Sequence, residues 1–188
     1  MINQLISRIA RSLDEHAVPY MIIGGQALLL YGIVRSTRDI DLTLGIDSDN
    51  YGKIEKICKN LGLNILPENP KQFVSETRAL PAEDSNLHIR IDFIFSFSGF
   101  ERQAIERACR KTLAGCEVKF ASCEDLVIFK MIASRAVDIE DVKSILNKKA
   151  ESIDYEYIYK WLAEFSQIPE YKNVTESFKK LLDNIKST

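Results

Sequence analysis

Two spacings of apolar residues divide the chain. Ile2, Leu5, Ile6, Ile9 and Leu13 recur every three or four positions, which predicts an amphipathic helix over 2–16 that packs on a sheet. Met21–Ile23 is a short apolar strand, broken by Gly24 and Gly25 and followed by a helical run over 26–31 that Gly32 closes. Over 39–44 the period changes to two. Ile40, Leu42 and Leu44 share one face of a predicted strand, and Asp39, Asp41 and Thr43 share the other. The same alternation returns over 88–95. There Ile89, Ile91, Phe93 and Phe95 form the apolar row, and His88, Arg90, Asp92 and Ile94 lie opposite.

Between these strands, Tyr51, Ile54, Ile57, Cys58 and Leu61 predict a helix over 51–61 with Gly62 as its cap, then a short strand over 63–66. Residues 67–86 hold Pro67, Pro70 and Pro81 and little pattern. They read as a surface loop, with an edge strand at Phe73 and Val74. Ser98 and Gly99 open a helix expected over 100–111, and Gly115 precedes a strand over 116–121. Ser122 and Asp125 resemble a capping box ahead of a helix that is apolar on most of its circumference. From 151 the stripes are helical, with a break at Pro169. These elements predict an α/β (α+β) fold: a small mixed sheet of about 4–5 strands packed by helices. The expected division is a core over 1–148 and a helical extension over 149–188.

Composition adds exclusions. At 188 residues, 46% hydrophobic and 28% charged, the chain can bury a sizeable core and is not disordered. A net charge of −2 advertises neither nucleic acid nor an anionic membrane. The four cysteines lack zinc spacing, and only His16 and His88 accompany them, so they read as reduced thiols. No apolar leader precedes the first helix and no run reaches the length of a membrane span, so a cytoplasmic protein is expected.

The chemistry sits in three carboxylates. Asp39, Asp41 and Asp92 occupy the polar faces of two otherwise apolar strands. Side-by-side carboxylates repel unless a cation lies between them. In two-metal phosphoryl transfer such residues hold a pair of ions about 3.5–4 Å apart. The Gly24-Gly25 turn, with helical N–H groups beyond it, offers a seat for phosphate. Arg35 and Thr37 stand in phase with the aspartates, provided the strand extends back that far. Lys130 lies inside the apolar helix, where it either reaches the surface or meets an anion.

The block Gly24-Gly25, Tyr31-Gly32, Arg35, Thr37, Asp39-Ile40-Asp41-Leu42, with Asp92 later, resembles the nucleotidyltransferase superfamily that includes DNA polymerase beta. More narrowly it is similar to the minimal bacterial nucleotidyltransferases, AbiEii-like proteins of toxin–antitoxin and phage-defence systems among them. Glu124-Asp125-Leu126, Lys130, Arg135 and Asp138 fit a helix pattern found in these proteins. The resemblance implies transfer of a nucleoside monophosphate from an NTP to a hydroxyl of RNA, protein or a small molecule, with two Mg2+ (or Mn2+) ions. It implies metal ligation by Asp39, Asp41 and Asp92, all three catalytic. Nucleotide contacts fall to Gly24, Gly25, Gln26, Arg35, Thr37, Lys130 and Asp138. A cognate partner protein also follows, and so does the alternative of a weakly catalytic antitoxin or protein-binding subunit. Many relatives carry Gly-Ser at the turn, where this chain has Gly24-Gly25-Gln26.

Overall fold

A computed structural model describes residues 1–34, 36–96 and 98–186. The chain divides into two compact units, Met1–Ala27 with Arg35–Ala121, and Leu28–Val34 with Ser122–Thr188.

Among the described residues, the first unit is built on a seven-stranded mixed sheet, larger than the pattern predicts. Its strands are β1 (Tyr20–Ile23), β2 (Ile40–Leu44), β3 (Asn64–Ile65), β4 (Ala79–Asp84), β5 (Ile89–Phe95), β6 (Cys109–Leu113) and β7 (Cys116–Phe120), in spatial order β3-β4-β5-β2-β1-β7-β6. β2 lies between β1, antiparallel to it, and β5, parallel to it. The apolar rows form the core: Ile40, Leu42 and Leu44 of β2 and Ile91, Phe93 and Phe95 of β5 are fully or almost fully buried. Helix α1 (Ile2–Glu15) buries Leu5, Ile6, Ile9 and Leu13 and packs on β6 and β7.

Two stretches differ from their sequence expectations. Residues 67–86 are not a loop with an edge strand at Phe73 and Val74. They hold a helix, α4 (Pro70–Thr77), and the internal strand β4. Pro70 occupies a first-turn position, where its missing N–H costs nothing. Pro81 is tolerated inside β4 because its main chain turns toward the end of β3. There its carbonyl accepts from Leu66 N–H at 3.0 Å, and the lost donor falls on a strand only two residues long.

The second difference follows Ser98, which caps α5 (Gly99–Glu106) in a reciprocal capping box with Glu101. That helix stops at Glu106, short of the expected 111. Cys109–Leu113 then pairs with β7 through a two-residue turn, Ala114-Gly115, whose φ values of 46° and 77° suit a tight hairpin. Helix α3 (Tyr51–Leu61) ends as expected at Gly62, in the left-handed conformation.

The second unit is helical: α6 (Cys123–Ala133), α7 (Ala136–Lys149), α8 (Tyr155–Phe165) and α9 (Val174–Lys186). Ser122 caps α6 by accepting from Asp125 N–H at 3.1 Å. The Asp125 side chain is one methylene shorter than Glu and takes the Ser122 hydroxyl, at 2.7 Å, in place of the cap N–H. Asp125 is fully buried, and its other oxygen accepts from Tyr157 of α8 at 2.8 Å. Lys148 on α7 donates to the carbonyl of Gly32, fastening the 28–34 segment to this unit.

Candidate active site

The site is set by register. β2 and β5 run parallel with Asp41 directly opposite Asp92. Side chains at paired positions point to the same face, so the two carboxylates stand side by side on neighbouring strands about 4.8 Å apart. β5 is internal, so Asp92 is not an edge-strand residue. Asp39 precedes the strand, which begins at Ile40, and it is exposed while Asp41 is half-buried. The three carboxylates therefore mark the N-terminal end of β2 and its neighbour β5.

Glycine is required beside Asp41. Gly24 has φ +63°, and a Cβ added there would collide with Asp41 Oδ2. The carboxylate thus lies directly against bare main chain. At Gly25 an added Cβ would fall 2.6 Å from Thr37 Cβ, so the Thr37 side chain covers the second glycine. Helix α2 begins at Gly24 itself, earlier than expected, and runs Gly24–Leu30. Gln26 is buried, and its amide donates to the Asp39 carbonyl at 3.3 Å, tying the helix to the residue that starts the acidic strand. Thr37 does not continue the strand backward. Its place over Gly25 comes from the loop before β2. Arg35 lies outside the described residues.

Asp92 has a cationic partner. Arg90 Nε donates to both Oδ1 and Oδ2 of Asp92 at 3.0 Å, and Arg90 Nη2 lies 3.0 Å from Oδ1. Residues two apart on a strand share a face, and that spacing is the sequence signal for this pair. Pro81 of β4 stands opposite Asp92 on its other side. Carboxylate oxygens from two adjacent strands are the right donors for a hard divalent ion. Among the described residues no three His, Cys, Asp or Glu side chains are gathered tightly enough to hold one. Donor chemistry and strand register fit the ion, while the Asp92 side chain is turned to Arg90.

Lys130 and Asp138 meet each other within the second unit. The buried Lys130 ammonium donates to Asp138 at 3.2 Å and to Asp141 at 2.6 Å. Arg135 adds a bond to Asp138 at 2.6 Å. Burial pushes the Asp138 pKa up. Hydrogen bonds from Arg135 and Lys130, with their charges, outweigh burial and hold the carboxyl below its ordinary value.

The family model for the nucleotidyl transferase AbiEii toxin of type IV toxin–antitoxin systems matches residues 5–175. The chain belongs to the AbiEii family. It is a nucleotidyltransferase. No curated protein sequence matches it. Several solved structures do. The solution structure of the antibiotic-resistance factor ANT(2'')-Ia is 19% identical, with 98% of this chain and 95% of that chain covered and a TM-score of 0.59. The crystal structure of ANT(2'')-Ia in complex with adenylyl-2''-tobramycin is 19% identical, with 94% and 98% covered and a TM-score of 0.58. An antigenic nucleotidyltransferase-like protein from Paracoccidioides brasiliensis is 18% identical, with 93% and 91% covered and a TM-score of 0.53. At these identities the likeness is one of fold. Among the described residues of this AbiEii-family chain, no helix is long and apolar enough to cross a membrane.

Proposed function

We propose that this AbiEii-family chain transfers a nucleoside monophosphate from an NTP to a hydroxyl acceptor through the carboxylates at the Asp41–Asp92 register. The observation that carries the reading is that register, with Asp41 against the bare main chain of Gly24. Asp39, Asp41 and Asp92 would hold two Mg2+ (or Mn2+) ions. When bound, the ions supply charge neutralisation at the phosphates and a lowered barrier to oxygen attack.

The chain's own residues do the rest. Main-chain N–H groups at Gly24 and Gly25 would contact the triphosphate, while the missing Cβ atoms make room for Asp41 and Thr37. Thr37 and Gln26 hold that turn in shape. Arg35 offsets phosphate charge, while Lys130 and Asp138 are engaged with each other inside the second unit. The acceptor oxygen attacks the α-phosphorus, pyrophosphate leaves, and the hydroxyl proton passes to Asp92 once Arg90 has released it. Type IV toxin–antitoxin membership of the family supports a cognate antitoxin as partner.

The test is incubation of the full chain with each α-labelled NTP, Mg2+ and cell extract. Label should reach one fraction of the extract, and Asp41→Asn should abolish it. Equal labelling by wild type and Asp41→Asn refutes the assignment. A purely partner-binding role would leave complex formation intact and labelling absent in both.

A further inference from the structure

Arg90 has two carboxylates within reach and holds the one farther along the sheet. Residues two apart on a strand share a face, and so do residues directly opposite on neighbouring strands. Arg90 therefore shares the site face with Asp92, about 6.8 Å along β5, and with Glu83, its partner on β4. Directly opposite residues have Cβ atoms only about 5 Å apart. Yet the guanidinium forks onto Asp92, with Nε 3.0 Å from both oxygens and Nη2 3.0 Å from Oδ1. Among the described residues it makes no ion pair with Glu83, which instead has His88 Nδ1 at 3.5 Å.

The positions of the two carboxylates give that choice a consequence. The sheet order is β4-β5-β2, so Glu83 lies on the side of Arg90 away from Asp41. A guanidinium forked onto Asp92 engages both oxygens that the Asp41–Asp92 register offers to a divalent ion. The same guanidinium on Glu83 leaves Asp92 free and keeps its own charge paired. Arg90 has room to turn that way. It lines a groove of about 520 Å3 together with Phe73 of α4 and Pro81 of β4. Asp92 and Glu83 are both half-buried, so moving the ion pair from one to the other changes little in solvation.

We infer that Arg90 is a two-position side chain that sets the metal affinity of the site. It forks onto Asp92 until a divalent ion takes that carboxylate, and it then pairs with Glu83. Arg90 is a positioning residue, acting through Asp92, and Glu83 is its second seat. This role rests on the reading of Asp92 as a metal ligand in the nucleotidyl transfer proposed above. No covalent bond changes: one ion pair is exchanged for another on the same face of the sheet.

A double-mutant cycle tests it, read by Mn2+ titration calorimetry of the full chain with melting curves as the fold control. Arg90→Gln removes the competitor and should tighten Mn2+ binding about fivefold. Glu83→Gln removes the second seat and should weaken it about threefold. Made in the Arg90→Gln chain, Glu83→Gln should change nothing, because no guanidinium is left to place. A general field of the two charges would instead give effects that add. Additive effects, or an affinity that Arg90→Gln leaves unchanged or weakens, overturn the inference. If that happens in a chain that still labels an acceptor from an NTP, the transferase reading stands. The predicted cycle in a chain that labels no acceptor refutes the transferase reading alone.

Discussion

The molecule holds two clusters of carboxylates, and they are built in opposite ways. In the second unit Asp138 and Asp141 are buried and closed over by Lys130, with Arg135 completing the set. Two cations face two anions, and every charge has a partner within 3.2 Å. In the first unit Asp41 and Asp92 stand side by side on paired strands, half-buried, with Asp39 exposed beside them. Asp92 is held by Arg90, whose own side chain is 53% exposed and so can leave at little cost. The difference separates a closed ion cluster within a helical unit from an open one, the proposed site of nucleotidyl transfer. Buried charge by itself does not mark a site.

The largest effect that would break this comparison is at Asp92. Asp92→Asn should lower kcat for nucleotidyl transfer about 10³-fold, with a melting temperature no lower than wild type, because a half-buried carboxylate beside Asp41 is relieved of repulsion. Retained transfer in a radiolabel assay would mean that the open cluster is not the reacting one. The reverse is expected at Lys130. Lys130→Met removes the ammonium that Asp138 and Asp141 share and should cost about 3 kcal/mol in urea unfolding. A loss under 1 kcal/mol, on the order of a surface pair, would show that the second cluster is not the closed structure described.

Smaller effects sharpen the picture. Gly24→Ala forces a side chain into a left-handed backbone and against the Asp41 carboxylate, for about 2 kcal/mol, measured by denaturation. Ala tolerated there without loss would show that Asp41 does not need bare main chain. Acid should weaken the closed cluster. The Asp138 pKa is lower folded than unfolded, so the unfolded chain binds the extra proton. Its contribution is intact above about pH 4 and fades as pH falls through the folded value. Arg135→Gln should raise that acid limb, and an unchanged acid limb would exclude Asp138 as its source. Least of all, Cys58 should resist thiol reagents in the native protein, since burial pushes its pKa up to about 12. Modification as fast as that of Cys116 would show the first unit opening readily.

How legible this was in the sequence differs by element. Strand parity put Asp39 and Asp41 on one face and Asp92 on the polar face of its own strand. Both strands are apolar enough for alternation to stand out. The register that sets Asp41 opposite Asp92 is a parallel pairing of distant segments, which no local pattern encodes. Residues 67–86 were obscured by their prolines. Pro70 starts a helix and Pro81 sits within a strand, whereas proline in a sequence reads first as a breaker. β6 was hidden for another reason. Arg110, Lys111 and Thr112 are all exposed at the edge of the sheet, so no alternation betrays it. The groove near Arg90 is lined by α4, the segment before it and Pro81 of β4, so no local pattern in the sequence announces it.

The most direct test of the account is Mn2+ binding by titration calorimetry, with and without NTP, in wild type, Asp41→Asn and Lys130→Arg. The account predicts NTP-enhanced binding in wild type, its loss in Asp41→Asn, and its retention in Lys130→Arg. Binding that survives Asp41→Asn and disappears in Lys130→Arg would contradict it.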